Sequence, residues 1–385
     1  MRGSLTCFLL LLIPFYQCER DSGNDFIRFE DDHFRMALVE LGIDTNGDGQ
    51  ISPEEAAEVT SLNIAWNNFE WWSGWEIESL DGLEAFVNLK ELNCIGNRLT
   101  EIDLSFFPSL VRVNCALNKL LYIDVSENSE LIFLSCGGNE LSSLDISNNT
   151  LLTNLGCSGN ELSTLDLSKN ILIDTLSCGS NNLSSIDVSK NLLLKSLCCD
   201  GNDLSTLDLS NNDSLVYLDC SNNLFLELDL SDVPGLKFLV CYGNPMTSLD
   251  LSNLPQLNRL DCLLNQLTSL DVSMNTNLIS LWCSEGHIES LDVSNNPSLT
   301  ELWCQGNQLT ALNLTGAPAL SFLSCGNNQI SKLDLSGNTM LSYLFLPEMP
   351  SLEEVCVWVL PFPPEGVYVD MDGSPNVFFT TECSE

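Results

Sequence analysis

The residue types that carry enzyme chemistry are here in quantity: seventeen cysteines, two histidines and 53 Asp plus Glu. Their spacing decides what they can do. His33 and His287 stand far apart in unrelated contexts, and no nucleophile motif, phosphate-cradling loop or acid/base pair accompanies either. Catalysis is therefore not expected. Twelve cysteines share one phase: Cys94, Cys115, Cys136, Cys157, Cys178, Cys199, Cys220, Cys241, Cys262, Cys283, Cys304 and Cys325, every step being 21 residues. One phase of a repeat means one structural position, so these thiols should stack facing inward. Their Cα separation permits a disulfide, but parallel Cβ vectors stay too far apart for good geometry. They are expected to be buried and free, acting as small hydrophobes. Cys198 precedes Cys199 and should point outward; with no His or C-x-x-C nearby it builds no metal site. Residues 44–55, DTNGDGQISPEE, are rich in side-chain oxygens, a composition suited to a hard cation.

The elements that position these residues follow from the period. The clearest unit is LTNLGCSGNELSTLDLSKNIL, Leu152 to Leu172, with the pattern L-x-x-L-x-C-x-x-N-x-L-x-x-L-D-x-S-x-N-x-x. Leu346 takes the place after Cys325, giving thirteen coils. This pattern resembles leucine-rich repeats, in which L-x-x-L-x-L-x-x-N-x-L carries one parallel strand per coil; Cys here replaces the third Leu. The likeness covers roughly residues 80–346. The L-D-x-S-x-N variant with its acidic N-terminal loop is similar to secreted repeat proteins of the Bacteroidetes. The resemblance implies a β-rich solenoid with a parallel concave sheet, a small helical N-terminal cap and a C-terminal cap. No coil buries its own apolar face, so stacking must do it. At about 4.8 Å per strand the thirteen coils span roughly 60 Å. The second apolar pair, Leu165 and Leu167 around Asp166, reads as a short second strand or extended turn on the opposite side. Cys356 and Cys383, in a Pro-rich tail, are expected to pair and staple the C-terminal cap, as similar repeat proteins end in a comparable two-Cys segment.

Residues 44–55 fit the EF-hand loop at every defined position. By that resemblance Asp44, Asn46 and Asp48 offer side-chain oxygens to calcium, and Gln50 its backbone carbonyl. Ser52 acts directly or through water, and Glu55 is bidentate. Gly49 makes the sharp turn and Ile51 points inward. Phe34, Ala37, Leu38 and Leu41 have helical spacing, and Ser52-Pro53-Glu54-Glu55 is a helix start. One such loop, without a pair, implies a structural ion that rigidifies the cap. Trp66, Trp71, Trp72 and Trp75 are expected to cover the open end of the first coil.

Two polar positions repeat. Asn97, Asn118, Asn139, Asn160, Asn181, Asn202, Asn223, Asn244, Asn265, Asn307 and Asn328 are expected inside, satisfying backbone groups where the coil turns; Gly286 alone breaks the series. Asp103, Asp124, Asp145, Asp166, Asp187, Asp208, Asp229, Asp250, Asp271, Asp292, Asn313 and Asp334 could form a carboxylate stripe that collects cations. They could equally be Asx-turns in which each accepts the N–H two residues on. Asn313 favours the turn, since Asn keeps it and loses the charge.

In leucine-rich repeats the strand residues flanking the inward positions line the concave face. Early coils place Asn93, Asn114, Ser135, Gly156 and Ser177 there. Later coils place Tyr217, Phe238, Tyr242, Trp282, Trp303, Phe322, Tyr343 and Phe345, interleaved with Asp219, Arg259, Asp261 and Glu301. Alternation pushes these side chains outward. They are expected to form a recognition surface for a protein partner, or for a glycan stacked on the tryptophans, the alternative being an aromatic ladder that stabilises the sheet.

A net charge of −39 disfavours nucleic acid and anionic membranes as partners. Arg2 and the apolar run Leu5 to Ile13 read as a signal peptide, residues 1–18, too short to span a membrane. Cys18 resembles a bacterial lipoprotein acceptor, although Gln17 departs from the small residue usual there; free secretion is the alternative. The resulting division is 19–30 linker or tether, 31–79 N-terminal cap, 80–346 solenoid and 347–385 C-terminal cap.

Overall fold

The computed structural model describes residues 26–65 and 76–383. The signal segment, Cys18, Trp66, Trp71, Trp72 and Trp75 lie outside the described residues.

Each unit of the repeat makes one three-residue strand and two turns. Thirteen strands recur every 21 residues, from Glu91–Asn93 to Tyr343–Phe345, and all pair in parallel with their neighbours. The register puts Leu155 on Leu134 and Leu176, one coil to the next. The sheet runs one strand further at each end, to Ser61–Asn63 and Tyr368–Asp370, making fifteen among the described residues. These end strands belong to coils of irregular length: Ser61 pairs with Glu91 and Tyr343 with Tyr368, so neither obeys the 21-residue step. The cap segments thus continue the sheet.

On the opposite side the L-D pair is extended in most coils. It becomes true strand in the later ones, as Ser290–Asp292 with Ala311–Asn313, and Lys332–Asp334 with Glu354–Cys356 and Phe378–Thr380. Cys356 and Cys383 form a disulfide on this last sheet.

Between the two sides lies a continuous core. In one coil Leu152, Leu155, Cys157, Leu162, Leu165 and Leu167 are all buried. Full burial stabilises by about 1.5–3 kcal/mol per leucine, repeated coil after coil. The twelve phased cysteines are free and buried. Burial pushes their thiols up, to about 12 at Cys94, Cys136, Cys178, Cys283 and Cys325, so they stay protonated and inert.

The inward asparagines join the coils. Asn160 donates to the carbonyls of Cys136 and Cys157, at 3.2 and 3.0 Å, and accepts from Leu141 N at 3.0 Å. A second buried series, Asn128, Asn149, Asn170, Asn191 and Asn212 among others, works by donation only. Asn170 Nδ2 reaches Ile146 O and Asn149 O in the coil before, and its Oδ1 has no partner.

The repeated aspartates are Asx-turns. Ser168 N donates to Asp166 Oδ1 at 2.9 Å, and every equivalent from Asp103 to Asp334 accepts the same bond, Asn313 included, from Thr315 N. Hydrogen bonds from Ser168, backbone first, hold the Asp166 carboxyl below its usual range.

The residue two after each phased cysteine, and after Leu346 in the same place, turns left-handed. Glycine fills it at Gly96, Gly138, Gly159, Gly201, Gly243 and Gly306; Leu117, Ser180, Asn222, Leu264, Glu285, Asn327 and Glu348 hold the same φ, between 50 and 57°. A leucine there costs roughly 1–2 kcal/mol.

Candidate binding face and calcium-type loop

The helix Asp32–Glu40 (α1) is capped by Asp31, whose carboxylate accepts from His33 N and Phe34 N, and it buries Phe34, Ala37 and Leu38; Leu41, grouped with that face by its spacing, is the C-cap and is exposed. Pro53–Ala57 (α2) begins with a reciprocal capping box between Ser52 and Glu55. The loop between them turns on Gly47 and Gly49, both at positive φ, and Ile51 is wholly buried. Asp44 Oδ1 accepts from Gly47 N at 2.7 Å and its Oδ2 from Gly49 N at 2.8 Å. Asn46 and Asp48 each accept the N–H two residues on. Glu55 ties the loop's ends: Oε1 accepts from Thr45 N at 2.8 Å and Oε2 from Ser52 N at 2.9 Å. These bonds, the one from Ser52 N first, bring its carboxyl down to about 2. The carbonyl of Ile51 accepts from Ile27 N at 2.9 Å, tying the loop to the segment before α1. The six oxygen positions therefore sit on one tight turn supported from within this chain.

The outward face of the long sheet carries two rows per strand. In the first row Tyr217, Phe238, Arg259, Ser280, Glu301, Phe322 and Tyr343 lie in successive register; Asp219, Val240, Asp261, Trp282, Trp303, Ser324 and Phe345 form the second. Alternation around the inward leucine fixes this. The rings meet in sequence. Tyr217 and Phe238 are 6.4 Å apart; Trp282 and Trp303, 5.9 Å; Trp303 stacks on Phe322 at 4.5 Å; Phe322 meets Phe345 at 5.3 Å. Arg259, beside Phe238 in register, lays its guanidinium over Trp282 at 4.2 Å and links the two groups. Glu301 anchors the middle, accepting from Trp303 Nε1 at 2.9 Å and Ser280 Oγ at 3.0 Å. Asp261 is nearly buried, and that burial raises its carboxyl above the usual range.

The rings thus do form a ladder, and they also remain open to a partner: Phe238, Tyr343 and Tyr368 are 38, 52 and 55% exposed. Tyr242 stands apart. It follows Cys241 outside the strand, half-buried, its carbonyl accepting from Asn222 N. Tyr368 belongs to the ladder, 5.6 Å from Phe345, but the irregular last coil hides it from the period.

Beside the two tryptophans opens a pocket of about 290 Å³ lined by Leu263, Leu264, Trp282, Ser284, Glu285, Trp303 and Gln305. Its floor is carbon, and Leu264 lies in the strained left-handed position, 58% exposed. Trp282 Nε1 and Ser284 Oγ are buried there without hydrogen-bond partners. A sequence signal for the pocket exists: Leu263-Leu264 puts two leucines at a pair of positions where every other phased cysteine except Cys115 is followed by at least one Gly, Ser or Asn.

No family model matches this chain, and no curated protein matches it. Solved structures do. The functional domain of InlJ from Listeria monocytogenes, which includes a cysteine ladder, is 32% identical with a TM-score of 0.72, over 85% of this chain and 75% of that one. The internalin inlF from the same organism is 22% identical, TM-score 0.66, over 83% and 89%. The leucine-rich-repeat ectodomain of the Arabidopsis thaliana receptor kinase GASSHO1/SCHENGEN3, solved in complex with CASPARIAN STRIP INTEGRITY FACTOR 2, is 20% identical, TM-score 0.68, over 86% of this chain and 46% of that one.

Proposed function

The chain belongs to the leucine-rich-repeat family, and on that premise we propose that it is a non-enzymatic binding protein recognising a protein partner through the aromatic half of its long-sheet face. The observation that carries this reading is the joined surface of Arg259, Trp282, Trp303 and Phe322 with an apolar pocket beside it. Exposed aromatics around a dry pocket are what a buried anchor residue needs. The surface that the pocket exposes is almost all carbon, its unpartnered Trp282 Nε1 and Ser284 Oγ being buried, so protein is the preferred ligand and glycan the alternative. The test is a pull-down from cell-surface material with wild type and with Trp282→Ala/Trp303→Ala. A protein retained by the first and lost from the second is expected. Equal retention would move the site elsewhere, and release by free oligosaccharide would favour the glycan.

A calcium ion in residues 44–55 is the second part of the proposal. Asp44, Asn46, Asp48, Gln50, Ser52 and Glu55 would hold it, and the ion would supply positive charge that ties α1 to α2. The all-oxygen set, the turn at Gly49, buried Ile51 and a Glu55 that stays ionised support the fit. Calcium is expected to raise the melting temperature of wild type and not of Asp44→Ala; an equal rise in both would refute the site. Residues 1–18 are read as an export signal, giving a secreted protein or one anchored through Cys18; mass spectrometry of the mature N terminus distinguishes these. Among the described residues no helix is long and apolar enough to cross a membrane.

A further inference from the structure

The turn leading into each strand departs from the repeat in three consecutive coils. Its two central residues point to solvent, and most coils fill them with turn formers, as in Ser129-Glu130, Asp213-Ser214 and Pro255-Gln256. The coils of Cys157, Cys178 and Cys199 instead carry Thr150-Leu151, Ile171-Leu172 and Leu192-Leu193. The turn itself is unchanged: Leu152 N donates to Asn149 O, Ile173 N to Asn170 O and Leu194 N to Asn191 O, at 3.0–3.1 Å. Nothing in the fold asks for aliphatic side chains there. Yet Leu151, Ile171, Leu172, Leu192 and Leu193 are 39, 52, 36, 55 and 50% exposed, side by side on adjacent coils. A contiguous apolar patch on a chain this acidic marks an interface.

The charges around the patch say what covers it. The coil before it, at Cys136, presents Glu127 and Glu130, both exposed. Its far end, at Cys199, presents Lys190 and Lys195, also exposed, in a chain with only 14 Lys and Arg in all; Lys195 has Asp174 of the neighbouring coil at 3.3 Å, an exposed pair that solvent screens and a partner carboxylate can share. One end is acidic and the other basic, and the aliphatic centre between them also carries Lys169 and the half-buried Asp174. A second copy turned by a two-fold axis between the coils of Cys157 and Cys178 would lay its acidic end on the basic end of the first, twice over, with the aliphatic turns between. We propose that this edge of the solenoid is a self-complementary interface, and that the partner it fits is a second copy of the same chain, antiparallel to the first. The patch forms the dry centre and the four charged side chains the rim. This edge is separate from the aromatic face, so each copy keeps its binding surface.

Sedimentation velocity on the full chain tests this across a concentration series. Wild type is expected to show a monomer–dimer equilibrium. Leu172→Glu/Leu193→Glu should leave a monomer with an unchanged circular dichroism spectrum, because other coils carry polar residues at these turn positions. Glu127→Lys/Glu130→Lys and Lys190→Glu/Lys195→Glu should each weaken association about tenfold or more. An equimolar mixture of those two reversed variants should pair again, since acidic then meets basic at both ends. A monomeric wild type at every concentration overturns the proposal and leaves the patch to a different protein. A dimer unaffected by the leucine variant, or a mixture of reversed variants that stays monomeric, overturns it as well.

Discussion

The early and late halves of the long-sheet face are built on one backbone and carry different surfaces. Leu155 in the first half and Leu281 in the second occupy the same inward place, each followed two residues on by a buried cysteine. Outside, the early strands carry Asn93, Asn114, Ser135, Gly156 and Ser177, where the later carry Asp261, Trp282, Trp303 and Phe345. The early half has one cation–π pair, Arg112 over Phe133 at 4.4 Å, with small or polar residues after it; its late counterpart, Arg259 over Trp282, opens a run of rings. Inward sites are under the discipline of stacking, and outward sites are not. Variation confined to the outward sites therefore answers to something other than the fold.

The comparison can be broken most directly from inside. Leu155→Ala and Leu281→Ala should cost the same, about 2–5 kcal/mol in denaturant unfolding; a much cheaper late variant would mean that the aromatic half relies on its ladder instead. Asn139→Ala and Asn307→Ala come next. Each removes three amide bonds to carbonyls and strips one N–H of its acceptor, for about 1–3 kcal/mol in either half; the carbonyls of Cys115, Cys136 and Cys304 keep a second donor in Asn118, Asn160 and Asn328. Leu117→Gly and Leu264→Gly sharpen the contrast. Both relieve a left-handed leucine and should stabilise by about 1 kcal/mol, while only Leu264→Gly weakens partner binding, because only Leu264 lines the pocket. Smallest is the response to acid, which should not distinguish the halves. Glu55 and the Asx-turn aspartates, Asp124 and Asp271 alike, have lowered carboxyls. Stability they contribute is fully present above the ordinary carboxylate value, near 4.5 for Glu55, and is lost as pH falls toward 2. Melting temperatures taken between those limits check the sign; a rise on acidification would contradict it.

Most of the fold was legible because the period was. A residue type recurring every 21 places has one environment, and that alone put the thiols and Asn ladder inside and made Asp166 a turn former. The Cys356–Cys383 pairing was legible from position and resemblance. The ends were not. The strands at Ser61 and Tyr368 sit in coils of other lengths, so Tyr368 escaped the list of aromatic positions. The aromatic face was legible as a set of residues but not in its arrangement. Tyr242 has the right offset from its cysteine and yet leaves the strand, and the pocket depends on side chains from three coils folding over one another beyond it.

The stack of thiols has a consequence in time. While the coils are closed, burial keeps each sulfur protonated and silent. A stretch of coils that opens delivers several ordinary thiols at once, all on one short length of chain. Under oxidising conditions a stretch that stays open can be captured in mispaired bridges that block reclosing. The ladder then acts as a fuse: it carries no current while intact, and once blown it is not reset without a reductant.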